Sequence, residues 1–154
     1  MAADGDDQTK PVRDRFGYLL KHARERMAIL NAARLEPFGI NGRELAVLTV
    51  LANGEPPSQL EAAQRLAIDR TTMVMLLDGL EGKGLVARRA DPADRRRNIV
   101  VLTAAGRKAL QGASRAADEA EAAFLAPLGE ADRDQLRTML QALIADDRAL
   151  DKSS

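Results

Sequence analysis

Two short amphipathic helices joined by almost nothing constrain this chain more than any other feature. Ser58-Gln59-Leu60-Glu61 is a capping box, a serine cap followed three residues later by glutamate. It opens a short helix with Leu60, Ala63 and Leu66 on the inward side. Only Ala67 and Ile68 separate that helix from Asp69, which can cap a second one. The second helix runs to about Glu81, with Met73, Leu76, Leu77 and Leu80 on one face, and Gly82-Lys83-Gly84 stops it. So brief a link is the arrangement of a helix-turn-helix, and an ordinary αα-hairpin satisfies the same pattern.

Beyond the stop, Leu85 to Arg89 and Asn98 to Leu102 are β-prone runs that flank a loop too long for a two-residue hairpin turn. Residues 91–100 read DPADRRRNIV, with Arg88 and Arg89 just before them. The chain as a whole carries 23 basic and 23 acidic residues, which argues against a general polyanion binder and leaves room for a localised basic patch. Self-repulsion makes such a cluster costly unless something negative sits opposite it. A solvated charge run on an exposed loop is the other reading of these residues.

Helices flank this middle section. From Pro11 to about Leu35, Val12, Phe16, Leu19, Leu20, Ala23, Met27 and Leu30 recur at helical spacing, and Pro37 and Gly39 end the segment. Asn41-Gly42-Arg43-Glu44 is another capping box, opening a helix to about Ala52 that is apolar nearly all round and should be buried. Thr103 caps a long helix to about Ala126 whose apolar positions are mostly small: Ala109, Leu110, Ala113, Ala117, Ala120 and Phe124. Small side chains let a second helix approach closely; a partner subunit is the simplest candidate, and the chain's own first helix is the alternative. A last helix carries Leu136, Leu140, Leu143 and Ile144. Aromatic residues are only 3% while alanine and leucine dominate, which favours helices over sheets.

Whole classes of chemistry are excluded. There is no cysteine, so disulfides, thiolate metal sites and cysteine redox sensing are absent. The single histidine, His22, speaks against a transition-metal site. No nucleophile elbow, glycine-rich phosphate loop or metal-ligand spacing frames Ser58, His22 or the nearby acids, so no catalytic residue, metal or cofactor is expected. No apolar run approaches the roughly 20 residues needed to cross a bilayer. The polar, acidic segment 1–10 lacks an apolar signal region and is expected to be a short disordered tail on a cytoplasmic protein.

Residues 66–106, LAIDRTTMVMLLDGLEGKGLVARRADPADRRRNIVVLTAAG, resemble the run from recognition helix through wing to dimer helix in the multiple antibiotic resistance regulator (MarR) family of winged-helix transcription factors. Asp94-Arg95-Arg96, followed by Leu102-Thr103 and then Gly106, carries the resemblance. It implies a mainly α fold with a small β-wing: a winged helix-turn-helix DNA-binding lobe at 40–103, and terminal dimerisation helices at 11–36 and 104–150. The function it implies is that of a sequence-specific regulator, binding a palindromic double-stranded DNA operator as a homodimer.

The resemblance also assigns residues. The arginine matching Arg96 enters the minor groove, where a narrow, A·T-rich duplex concentrates negative potential, and Asp94 braces it through a salt bridge. Arg88, Arg89, Arg95 and Arg97 would neutralise flanking phosphates. Arg70, Thr71 and Thr72 match positions that meet phosphates and base edges at the start of the recognition helix. Where many members carry serine and arginine, this chain has Val74 and Met75, and Met75 falls opposite the core stripe, on the presumed DNA face or against a neighbouring element. Members commonly respond to small aromatic or anionic ligands in a crevice between lobe and dimer helices; Tyr18, His22 and Arg26, at i, i+4 and i+8, offer a polar stripe there, or an exposed or interface-lining one. The alternative function is a winged-helix dimer that binds proteins or senses a ligand without contacting DNA.

Overall fold

A computed structural model describes residues 9–145 of the chain. Most of the expected tail at 1–10, and residues 146–150 of the expected dimerisation region, lie outside the described residues. The elements are α1 (Phe16–Leu35), α2 (Gly42–Ala52), α3 (Gln59–Leu66), α4 (Arg70–Gly82), β1 (Val86–Ala90), β2 (Asn98–Leu102), α5 (Ala104–Leu125) and α6 (Glu130–Ala145). The fold is a winged helix-turn-helix with long terminal helices, mainly α with a two-stranded antiparallel wing.

Each helix of the lobe starts where its cap chemistry places it. The Asn41 side chain accepts from the Glu44 N–H at 3.0 Å, and the Glu44 carboxylate accepts from the Asn41 N–H at 2.9 Å. Ser58 and Glu61 exchange the same pair of bonds at the start of α3. Ala67, in the left-handed conformation at φ 51°, turns the link between α3 and α4. Val47, Leu48 and Leu51 of α2, Ala62 and Ala63 of α3, and Met73, Leu77 and Leu80 of α4 are buried together with Leu35, Leu85, Val86, Val100 and Leu102. The short helix packs through its alanines, which allow close approach to α2 and α4. Leu60, expected inward, is carried outward in the first turn of α3 and is exposed.

One carboxylate is buried in this core, and it is compensated. Lys83 donates to Glu44 Oε1 at 2.7 Å and Oε2 at 2.9 Å, and to the Gly39 carbonyl at 2.8 Å. A buried charge without such a partner would cost several kcal/mol, on the order of a whole core side chain. The pair ties the end of α4 to the start of α2.

The terminal helices differ from expectation in two ways. Pro11 begins only a 3-10 turn, Val12–Asp14; Arg15 is extended (φ −80°, ψ 135°), so α1 starts at Phe16. The small-residue face of α5 meets the chain's own α1, with Ala113 and Ala120 fully buried and an Arg34–Glu119 ion pair across the seam. Without a Cβ at Gly112, the Phe38 ring fits against α5: an added Cβ would lie 2.4 Å from Phe38 Cε1. The last helix, α6, is tied to α5 by Arg137 and Glu121 at 2.5 Å, with Leu136 half-buried, and Met139, Leu143 and Ile144 stay exposed.

The wing is joined to α5 by close backbone and side-chain contact. Thr103 caps α5 through the Gly106 N–H at 3.0 Å, donates its hydroxyl to the Gly84 carbonyl at 2.6 Å, and donates its N–H to the Leu85 carbonyl at 3.1 Å. Gly106 packs on that same carbonyl so closely that a Cβ would sit 1.9 Å from Leu85 O. This is the physical reason for threonine and glycine at that spacing. Because the obstacle is backbone, Gly106→Ala should lower the free energy of unfolding by about 1–3 kcal/mol. Urea denaturation would show it as a lower midpoint at unchanged slope; an unchanged midpoint would contradict the contact.

Candidate nucleic-acid interface

The wing pairs Val86 with Leu102 and continues in register to Ala90 with Asn98. Its base is buried through Val86, Val100 and Leu102, and the Val100 N–H donates to the carbonyl of buried Pro57 at 2.9 Å, tying β2 to the loop before α3. Two aspartates shape the tip. Asp91 accepts from the Ala93 N–H at 2.9 Å, and Asp94 accepts from the Arg96 N–H at 3.0 Å. The Arg97 N–H also donates to the Asp94 carbonyl at 2.9 Å. Asp94 thus supports Arg96 through the backbone, and among the described residues no ion pair joins their side chains, which corrects the expected salt-bridge brace. Asp and Asn side chains favour such local bonds because their reach matches an N–H two residues on.

The five wing arginines are not equivalent. Arg95, Arg96 and Arg89 are exposed and have no ion pair among the described residues. Arg97 pairs with Glu61 on α3 and lies 3.8 Å from Asp91. Arg88 is the most committed, its side chain only 27% exposed. Its Nε donates to Gln59 Oε1 at 3.0 Å, one terminal nitrogen to Asp78 Oδ1 at 2.6 Å, and the other to Glu81. The expected phosphate role of Arg88 therefore meets a side chain already engaged by three acceptors. Partial burial works against its charge, and Asp78 and Glu81 outweigh that effect, holding the guanidinium above its ordinary pKa. The planar guanidinium presents its N–H donors in a fixed fork, which here meets acceptors on three different side chains.

On α4, Asp69 accepts from the Thr72 N–H at 2.8 Å and from its hydroxyl at 2.5 Å. The Thr72 hydroxyl, and then its N–H, hold the Asp69 carboxyl below the usual range. The Ser58 N–H does the same first for Glu61, with the Ser58 hydroxyl and Arg97 adding to it. Thr72 is half-buried and spends its hydroxyl on the cap, while Arg70 and Thr71 are exposed. Met75 is 70% exposed, so among the described residues no neighbouring element covers it. Met75 and Asp78 extend the exposed face that Thr71 begins. Asp78, Glu81 and Gln59 were not singled out from sequence. The i, i+3 spacing of Asp78 and Glu81 was a usable signal, since it places two carboxylates side by side near the helix end.

Tyr18 and His22 are neighbours on α1, with ring centroids 4.1 Å apart, and His22 Nδ1 is 3.2 Å from Glu25. Both, with Arg26, are exposed. Among the described residues, no group of three or more His, Cys, Asp or Glu side chains is placed to hold a metal ion, and no helix is long and apolar enough to cross a membrane.

The MarR family model matches residues 38–97, the span from the end of the first helical segment to the wing tip. A probable transcriptional regulator from Pseudomonas aeruginosa superposes with a TM-score of 0.80 at 34% identity, covering 86% of this chain and 99% of that one. The transcriptional repressor CouR, in a structure bound to a 23-mer DNA duplex, gives 0.79 at 32% identity, over 88% and 99%. The chain belongs to the MarR family. It is a winged-helix, DNA-binding transcriptional regulator. CouR from Rhodococcus jostii RHA1 bound to p-coumaroyl-CoA matches with a TM-score of 0.77 at 28% identity, over 88% and 95%. The repressor NicR of Pseudomonas putida is 27% identical over 143 residues, 92% of this chain and 90% of its own length. These relatives are transcriptional regulators.

Arg88 joins the wing to α4 and pairs with two carboxylates there. Arg88→Ala should weaken DNA binding several-fold and leave the salt dependence unchanged, as followed by fluorescence anisotropy across a salt series. A slope reduced by about one unit would instead mark a direct phosphate contact.

Proposed function

We propose that this MarR-family chain is a sequence-specific repressor that acts as a homodimer on a palindromic operator and is released by a small aromatic or anionic ligand. The observation that carries the reading is the contrast within the wing: Arg88 and Arg97 are consumed by internal acids, whereas Arg95 and Arg96 stand exposed on a tip shaped by Asp91 and Asp94. Unpaired guanidiniums on a backbone-braced loop suit the minor groove, where negative potential is highest over A·T pairs. Arg96 takes that position, while Arg89 and Arg95 neutralise phosphates and Arg97 does so at the cost of its Glu61 pair. Arg70 and Thr71, at the start of α4, meet the backbone and base edges of the major groove, with helix-end N–H groups favouring phosphate there. Thr72 supports them through Asp69. Met75 offers apolar contact to a thymine methyl.

The dimer reading is supported by apolar surface left without a partner. Phe16 is 78% and Leu143 70% exposed, with Val12, Leu20 and Ile144 also uncovered. Segments 11–36 and 104–145, the described part of the expected 104–150, supply the shared helical region, and 40–103 the DNA-binding lobe. Tyr18, His22 and Arg26 then border that interface. CouR and NicR, both transcriptional repressors, support repression as the sign of control.

The roles separate in one experiment. Arg96→Ala should cost roughly 1–3 kcal/mol of binding and reduce the preference for A·T pairs at the flanks. Arg95→Ala should weaken all sequences alike and lower the salt slope by about one unit. Met75→Ala should shift preference at one half-site position at unchanged slope. All three would be measured on the same point-substituted duplexes across a salt series. If Arg96→Ala behaves as an ordinary phosphate contact and Met75→Ala alters no preference, neither residue reads DNA.

A further inference from the structure

We infer that Met75 is a site of reversible sulfoxidation, and that a hypohalous acid releases the chain from DNA by converting this one thioether to its sulfoxide. The inference rests on the placement of Met75 against DNA proposed above, and adds a form of control that needs no ligand pocket.

The chain contains no cysteine, so its thioethers are the only sulfur an oxidant can meet. They are unequally presented. Met73 is fully buried in the core of the lobe and Met27 is half-buried on α1, whereas Met75, two residues beyond Met73, is 70% exposed. Met139 is 51% exposed and belongs to α6. Among the described residues, Met75 is therefore the one exposed methionine of the helix-turn-helix. Its neighbours along the helix surface give little shelter. Thr71, one turn earlier, is short and exposed, and Gly79, one turn later, has no side chain.

The step is a two-electron oxidation. The sulfur takes the oxygen atom of hypochlorous acid, an S–O bond forming as the O–Cl bond breaks, and chlorine leaves as chloride and the hydrogen as a proton. A methionine sulfoxide reductase reverses it, two thiols giving up their hydrogens to form water and a disulfide. The sulfoxide is polar, and its oxygen needs a hydrogen-bond donor. The Thr72 hydroxyl is given to Asp69, Asp78 can only accept, and the Thr71 hydroxyl faces DNA in the proposed complex. Water serves the new oxygen in the free chain. Against a thymine methyl that water is stripped away, so an apolar contact becomes a buried acceptor without a partner. The wing arginines and their phosphate contacts are untouched, so affinity falls while its salt dependence stays the same.

The test treats the full chain, free and bound to a duplex selected from a random library, with hypochlorous acid in small molar excess. Peptide mass spectrometry follows each methionine, and fluorescence anisotropy follows binding. In the free chain Met75 should gain one oxygen ahead of Met139, with Met73 unmodified, and bound DNA should protect Met75 but not Met139. The oxidised chain should bind the duplex about fivefold more weakly or worse, at an unchanged salt slope. A methionine sulfoxide reductase with its thiol reductant should restore binding, and the thiol alone should not. Met75→Leu lies in the binding face, so it is compared with itself, and its affinity should be the same before and after oxidant. Met139→Leu should lose affinity on treatment as the wild type does, and Met75→Gln should bind weakly without any oxidant. Met75 sulfoxide with undiminished affinity, a loss that Met75→Leu shares, or a loss that the reductase leaves in place would overturn the inference. An untreated chain that binds no selected duplex would overturn the DNA-reading proposal and this inference with it, and that failure shows before oxidant is added.

Discussion

Three nitrogens of one guanidinium hold the wing to the helix-turn-helix. Arg88 rises from β1 and reaches Asp78 and Glu81 on α4 and Gln59 on α3. A lone surface ion pair is worth little, because solvent screens it and ordering two side chains costs entropy. Here one partly buried, planar group serves three acceptors, so the ordering cost is shared and the geometry admits a single arrangement. The consequence is positional. The strand that leads to the tip arginines is tied through this one side chain to the helix whose exposed face carries Thr71 and Met75.

The lobe is in turn clamped to the long helices. Lys83 locks the end of α4 to Glu44 and to the Gly39 carbonyl, just after Phe38, whose ring lies on Gly112 of α5. Thr103 and Gly106 lock the wing base to the start of α5. α5 lies along α1 through alanine-to-helix contact. Position is therefore transmitted from the terminal helices to the DNA-binding face by close contacts and short polar bonds. Among the described residues α6 joins this frame through the Arg137–Glu121 pair with α5, and it carries much of the uncovered apolar surface.

Helix starts and the wing strands were legible because they are written in local chemistry. Both capping boxes, the Asp69 cap and the Thr103 cap form as the residue types require, and β2 spans the anticipated residues. What was not legible depends on distance. The identity of Arg88 suggested a phosphate contact, and only the fold brings Gln59, 29 residues away, beside it. The periodicity of α3 includes Leu60, but an eight-residue helix is free to choose which edge it buries, and the compact alanines won. The pattern from Pro11 onward is continuous, yet Arg15 breaks the helix, with no residue type there to announce it. The small face of α5 indicated close approach without saying to which helix. Asp94 was matched to a brace for Arg96, and the bond runs to the backbone because an aspartate reaches an N–H two residues on more readily than a long side chain's end.

The central claim, that wing and α4 act as one sequence-reading unit presented twice by a two-fold dimer, is tested most directly by selecting bound duplexes from a random library with the wild-type chain. The account predicts a near-palindromic consensus with half-sites about 10–11 base pairs apart and A·T-rich positions where the wings fall. Recovery of sequences no different from the starting pool, or of a single asymmetric half-site, would contradict it.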